Sequence, residues 1–244
     1  MSVDATVTRT LIVNADDFGR SHGINRGVFK AHRHGIVTSA SLMVRWPAVH
    51  DAVAYAQGAP DLGLGLHLDL AEFVYASDEW RAVYEVVDLG DAEAVRGEVW
   101  CQIERFDHLV GAYPTHLDSH QHVHNSEPMR ALLLEVAAEL GVVLRGEDRR
   151  VTYCGGFYGQ TGQGEALPDA ITPGALAGLI ASLDPGTTEL ACHPGLDDES
   201  DSIYAHERDV EVASLSHPVV RAAIEAHHIT LGSFRGVMGE QRVA

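Results

Sequence analysis

Apolar and polar positions along the chain alternate in a pattern that predicts strands and helices by turns. Thr10-Leu11-Ile12-Val13 is a short β-branched run that ends abruptly in Asn14-Ala15-Asp16-Asp17-Phe18-Gly19. It reads as a buried strand delivering polar residues at its C-terminal end. Ile24, Val28 and Ala31 follow at helical spacing, with Ser21 as a capping residue and Gly35 as a stop just past the last turn. A second strand is expected at Ile36 to Val44, a helix from Pro47 through Val49, Val53 and Ala54, and a strand along Leu62 to Leu66 leading to His67. A polar, acidic stretch from Asp69 to about Asp91 interrupts the alternation. A helix around Glu93 to Val110 then precedes Pro114-Thr115-His116-Leu117-Asp118.

The second half repeats the pattern. Met129, Leu133, Val136, Ala137 and Leu140 form one helical face after Ser126 and Pro128, and Gly141 closes that helix. Val142 to Arg145 is the next strand. The segment Gly155 to Gly164 has glycine at 155, 156, 159, 162 and 164, around Phe157 and Tyr158, and reads as a functional loop. Pro173 to Leu183 is expected as helix, Thr188 to Cys192 as strand, Ala205 to Leu215 and Val219 to His227 as helices, and Ile229 to Leu231 as a last strand. Such alternation predicts an α/β fold with a parallel sheet. The 244 residues match the size of one (β/α) barrel, taken as a single domain over 1–244.

Composition narrows the range of functions. Asp and Glu number 35 against 17 Lys plus Arg, for a formal charge of -18, and Lys30 is the sole lysine. No cationic cluster is present to neutralise a nucleic-acid backbone, and an anionic membrane is disfavoured for the same reason. Histidine is abundant, at 15 residues, and it is the side chain that most often ligates metals or moves protons near neutral pH. Cys101, Cys154 and Cys192 are widely spaced and outside any C-x-x-C pair, so neither a disulfide framework nor a zinc knuckle is supported. With no signal-peptide core and no stretch near the roughly 20 apolar residues of a membrane span, the expectation is a soluble cytoplasmic protein.

Four polar clusters fall where the predicted strands end: Asp16-Asp17, His67, the run His116 to His124, and His193-Pro194-Gly195. In a barrel those ends converge on one face, where active sites are built. In the run His116-Leu117-Asp118-Ser119-His120-Gln121-His122-Val123-His124 every second residue is His or Asp, so an extended strand would put all five on one face. Eight strand steps span about 26 Å, while a zinc–nitrogen bond is about 2.1 Å. The run therefore supplies one or two direct ligands, with the others behind them or on substrate. Each cluster alone also has a plain reading: a solvated His-rich loop, an acid pair at a helix N-terminus, a satisfied core histidine. Cys192 and His193 are adjacent on a strand and face opposite ways, which disfavours a cysteine–histidine dyad.

The segments Leu11 to Gly19, Gly35 to Ser39, Gly65-Leu66-His67-Leu68, Thr115 to His124 and Cys192-His193-Pro194-Gly195, in this order, resemble the YdjC-like carbohydrate deacetylase family, which includes chitooligosaccharide deacetylases. The resemblance covers about residues 9 to 235. It implies a distorted TIM-like barrel, hydrolysis of the N-acetyl group of an N-acetylated sugar, and one divalent ion, Mg2+ or Zn2+. It also implies Asp17, His67 and His120 as metal ligands, Asp16 as general base and His193 as general acid. Gln121 departs from the family by interrupting what is often a continuous histidine triplet. Arg145, at the end of its strand, is placed to orient Asp16 and hold it ionised. His116, Asp118, His122 and His124 are expected behind the ligands or on substrate, and Phe157, Tyr158, Tyr75 and Trp80 as sugar platforms. Two rivals stay open: a two-metal amidohydrolase or phosphoesterase using His120, His122 and His124, and a non-enzymatic sugar-binding protein. A homodimer is a further expectation for its assembly.

Overall fold

A computed structural model of the chain describes residues 8–196 and 204–239. Strands and helices alternate as β1 (Arg9–Phe18), α1 (His22–His34), β2 (Ser39–Leu42), α2 (Val49–Gln57) and β3 (Gly63–Leu68), followed by a hairpin of β4 (Ala71–Ala76) and β5 (Glu79–Glu85). Then come α3 (Ala92–Val110), β6 (His116–Ser119), α4 (Met129–Leu140), β7 (Val143–Leu144), β8 (Val151–Cys154), α5 (Pro173–Ala181) and β9 (Gly186–Cys192). The chain continues through α6 (Ala205–Leu215), α7 (Pro218–Ala226), β10 (Ile229–Gly232) and α8 (Phe234–Gly239).

The helices start and stop where local chemistry dictates. The Ser21 side chain accepts from the Ile24 amide at the start of α1, the Asp91 side chain from Glu93 and Ala94 at the start of α3, and Thr172 from Ala175 at the start of α5. Gly111 and Gly141 end α3 and α4 in the left-handed conformation, which costs glycine little.

The main sheet is parallel, in the order β7-β6-β3-β2-β1-β9-β8. On its second edge β1 is shared: β10 pairs with Arg9 to Ile12, and β2 with the C-terminal half from Asn14. Strands β6 and β9 are four steps apart in this order, about 19 Å in a flat sheet. Yet the one guanidinium of Arg145 lies 2.8 Å from Asp118 on β6 and 2.7 Å from Glu189 on β9. The sheet is therefore curled into a distorted TIM-like half-barrel. Among the described residues no pairing joins β7 to β8, so a seam lies between them.

Odd and even positions of β1 divide between two cores. Leu11, Val13 and Ala15 pack under the helices with Ile24 and Val28. Ile12 faces inward, with Val143, Val151, Phe234 and Val237, and α8 plugs the lower mouth of the barrel. The alternation continues upward into polar residues, Asn14 and Asp16 on β1 and Glu189 on β9.

Several expected elements differ. The first strand carries its polar residues as expected and runs to Phe18, five residues beyond the apolar run. The acidic stretch expected to interrupt the fold is a β-hairpin, closed by Ser77 and Asp78 at φ 55° and 64°; this is the twist a two-residue hairpin needs, reached without the usual Asn-Gly signal. The histidine run is not one extended strand. Strand β6 stops at Ser119, and a 3₁₀ segment at His120–Asn125 turns the chain, with Gln121 and His122 left-handed at φ 51° and 53°. The short strand β8 and helix α8 carry little periodicity and were not expected.

Candidate active site

Asp16 and Asp17 are consecutive, and in a regular strand they would face opposite ways. Here β1 carries one extra residue against β2: Ala15 pairs with Ala40, and the next pair is Phe18 with Leu42. Asp17 takes φ 62° within this bulge. Both carboxyls consequently border a cavity of about 690 Å³ at the C-terminal mouth of the barrel, together with His67, His120 and His193.

The two acids have different surroundings. Asp17 Oδ1 lies 3.4 Å from His67 Nε2 and 3.1 Å from His120 Nδ1. One ligand atom from each of the three residues falls within 4.8 Å of the other two. Asp118 accepts from His67 Nδ1 at 2.7 Å, which fixes the ring so that Nε2 faces Asp17. Arg208 Nη2 holds the other Asp17 oxygen at 2.6 Å. Burial would lower the pKa of His67, but Asp118 and Asp17 outweigh it and raise the value to about 10. His120 is raised in the same sense, burial being outweighed by Asp17 and Glu72. Carboxylates around this point thus favour positive charge, and one carboxylate with two imidazoles is a donor set for a divalent ion.

Asp16 has a different principal partner. Both its oxygens are held by Arg145, at 2.6 and 2.7 Å, with Asn14 Nδ2 donating at 2.9 Å. Burial opposes the charge, but Arg145 outweighs it and holds the carboxyl well below the usual carboxylate range. His193 Nε2 lies 3.7 Å from Asp16 Oδ2, and burial pushes that imidazole down to about 4. A second set of possible donors, Asp16, His67 and Asp118, also lies close together, but Arg145 already occupies both of its carboxylates.

The remaining expected residues are dispersed by the turn after β6. His122 borders the cavity and meets Tyr153 Oη at 3.2 Å. His124 bonds back to Ser119 at 2.6 Å. His116 lies deep in the barrel, its ring stacked on Phe234 at 3.9 Å. Burial pushes all three down to about 4. Neither His122 nor His124 joins His120 in a group of potential ligands among the described residues, so the richer ligand set of the two-metal rival is not assembled. Gln121 bonds the main-chain N–H and C=O of Phe73, both at 2.8 Å, and so fastens the hairpin beside His120.

Of the expected aromatics, Tyr75 and Trp80 pair on the hairpin at 5.5 Å and Tyr158 stacks on Tyr204 at 4.6 Å, and all four border the cavity. Phe157 is almost wholly buried and serves the core. Sequence reasoning missed Arg20, Glu72, Arg208 and Glu211. Arg20 pairs with Glu72 at 2.6 Å and lies 3.2 Å from His120 Nε2. All four have the charge of surface residues, and no local signal marks them; Arg20 lies in the loop after β1, Glu72 on the hairpin, and Arg208 and Glu211 on α6.

A sequence model described as YdjC-like protein matches residues 10–226. A chitooligosaccharide deacetylase of Klebsiella pneumoniae (strain 342) is 34% identical over 254 residues, covering 94% of this chain and 99% of that protein. A carbohydrate deacetylase of Geobacillus stearothermophilus is 31% identical over 248 residues, covering 93% and 97%. Among solved structures, a protein of Enterococcus faecalis V583 to which cellobiose-phosphate cleavage has been ascribed superposes with a TM-score of 0.74 at 24% identity, covering 94% and 99%. A family 4 carbohydrate esterase from Streptomyces lividans, in complex with acetate, gives 0.56 at 11% identity, covering 92% of each chain. At these identities the two structures speak to the fold alone.

Proposed function

The chain belongs to the YdjC-like family, and from that premise we propose that it is a carbohydrate N-deacetylase, a metal-dependent hydrolase that converts an N-acetylated amino sugar or chitooligosaccharide to acetate and the free amine. The observation that carries this reading is the bulge in β1, which brings Asp16 and Asp17 to one cavity with different partners. One acid is grouped with two imidazoles, while its neighbour is held ionised beside a third.

An amide is a poor electrophile, so its hydrolysis needs the carbonyl polarised, water deprotonated and the amine protonated. Asp17, His67 and His120 would hold the ion. When bound there, a divalent ion supplies Lewis acidity toward the amide carbonyl. Asp16 accepts the proton of the attacking water, and Arg145 keeps its carboxyl ionised and aimed. The 3.7 Å between Asp16 Oδ2 and His193 Nε2 gives that proton a short path to His193, which protonates the leaving nitrogen. Tyr75 with Trp80, and Tyr158 with Tyr204, border the cavity and offer faces to sugar rings.

The donor set is of a kind zinc takes, whereas magnesium would keep more of its waters. Elemental analysis, with activity restored ion by ion, decides between them. Cys101, Cys154 and Cys192 are free thiols, which suits a reducing compartment such as the cytoplasm. No helix among the described residues is long and apolar enough to cross a membrane. The decisive experiment is a mass-spectrometric screen of N-acetylglucosamine and N-acetylated oligosaccharides for loss of one acetyl group with release of acetate. Turnover of phosphate esters instead, or of nothing, would overturn the reading.

A further inference from the structure

One face of α6 reaches three parts of the site at once. Tyr204 immediately precedes the helix, and Tyr204, Glu207, Arg208 and Glu211 fall at the spacing that puts side chains on one side of a helix. Tyr204 Oη accepts the Gly159 N–H at 2.7 Å, and Gln160 Nε2 donates to Glu207 at 3.0 Å; both partners lie in the glycine-rich loop. Arg208 reaches Asp17. Glu211, with no exposed surface, accepts the Tyr204 O–H through Oε1 and the His193 main-chain N–H through Oε2, each at 2.5 Å. An unbroken hydrogen-bonded chain therefore runs from the loop amide through a phenol and a buried carboxyl to the backbone of the imidazole beside Asp16.

Packing follows the same line. A Cβ on Gly159 would meet Glu207 Cγ at 2.7 Å and Ile171 Cδ1 at 2.8 Å, so the loop backbone approaches the helix more closely than a bulkier residue would allow. The Tyr158 ring lies against both Tyr204 and the imidazole of His193, with centroids at 4.6 and 5.2 Å. The loop also borders the cavity through Gly155, Gln160 and Thr161. A carboxyl on a main-chain amide does not tune the imidazole directly. It fixes where the strand end carrying that imidazole sits.

We propose that Glu211 is a positioning residue for His193, and that through Tyr204 it couples the ordering of the glycine-rich loop over the cavity to the placement of that imidazole. A sugar that orders the loop then also sets the group beside Asp16, and an open loop leaves it misplaced. The proposal rests on the deacetylase reading for its kinetic arm but not for its structural arm.

Tyr204→Phe removes the hydroxyl and keeps the ring on Tyr158; Glu211→Gln keeps an acceptor for the His193 amide and alters the link to Tyr204. Hydrogen exchange read by mass spectrometry should show Tyr204→Phe exchanging about tenfold faster both in peptides covering residues 155–164 and in peptides covering residues 192–196, which the lost hydroxyl does not touch. On an N-acetylated chitooligosaccharide, kcat should fall about 10- to 100-fold and KM should rise, since a small misplacement of a reacting group costs that much. The double variant should lose no more than the worse single variant, because the two residues act as a unit. Faster exchange confined to the loop, with kcat unchanged, or losses that multiply in the double variant, would overturn the coupling. If Glu211→Gln does not fold, Tyr204→Phe carries the test alone. If the wild-type protein deacetylates no sugar, the functional reading fails, while the exchange of the two peptides still decides the coupling.

Discussion

Arg145 grips Asp16 with both of its terminal nitrogens, Nη1 to Oδ2 at 2.6 Å and Nη2 to Oδ1 at 2.7 Å, and the same guanidinium also serves Asp118 and Glu189. A planar fork can do this and an ammonium cannot. Arg145→Met leaves three buried carboxyls without their cation, and should cost about 3–5 kcal/mol in urea unfolding. Arg145→Lys keeps the charge and should fold, but with Asp16 no longer held at both oxygens its kcat should fall about 100-fold. Wild-type turnover in the lysine variant would show that the double grip is unimportant.

Asp16 and Asp17 should separate metal binding from turnover. Asp16→Asn should keep the wild-type metal content in elemental analysis while kcat drops by about 10³-fold or more. His120→Ala should lose both metal and activity. Full activity in Asp16→Asn removes the residue from the role of base.

Asp118 holds His67 Nδ1 at 2.7 Å and so would orient the ring toward an ion proposed to sit between Asp17, His67 and His120. Asp118→Asn should weaken metal affinity about 10- to 100-fold, the usual effect of removing the partner that orients a histidine ligand. Competition against a chelating dye measures this without any substrate. An unchanged affinity would argue that another contact fixes the ring.

Glu189 gives the fold a pH dependence of definite sign. Burial pushes its carboxyl from the ordinary 4.5 to about 7, against the pull of Arg145, and Oε2 has no hydrogen-bond partner among the described residues. The folded protein therefore keeps this proton to higher pH than the unfolded chain does. Its contribution is full below about 4.5 and is lost as the pH rises through about 7. Glu189→Gln removes that loss, so the variant should gain on the wild type between pH 5 and pH 8 by up to about 3 kcal/mol. Urea unfolding at the two pH values reads it, and a constant difference between the proteins defeats the prediction.

Sequence reading succeeded where local chemistry and one-dimensional period coincide. Ser21 caps α1 and Gly141 closes α4 as expected, because a side-chain oxygen and a left-handed glycine act within a turn of their own position. That Asp16, Asp17, His67 and His193 border one cavity was readable for a similar reason: strands end at one mouth, and polar residues at the ends of apolar runs mark that mouth. The turn within His116 to His124 was not legible, because Gln121 and His122 adopt left-handed backbone that their residue types do not announce. The hairpin was hidden among acidic residues, and Arg20, Glu72, Arg208 and Glu211 could not be seen at all. Their partners lie 52 residues away for Arg20 and 191 for Arg208, and such pairings follow from how hairpin and helix pack over the mouth of the sheet rather than from any neighbouring residue.

The bulge in β1 has a consequence for which side chains position 17 can accept. At φ 62° the main chain readily takes glycine, asparagine or aspartate, whose short polar side chains tolerate that conformation, and resists longer or branched ones. Glutamate carries the same ligand chemistry, but its added length and its backbone preference both count against it here. Variation at this position is therefore restricted by the shape of the backbone before any ligand chemistry is considered.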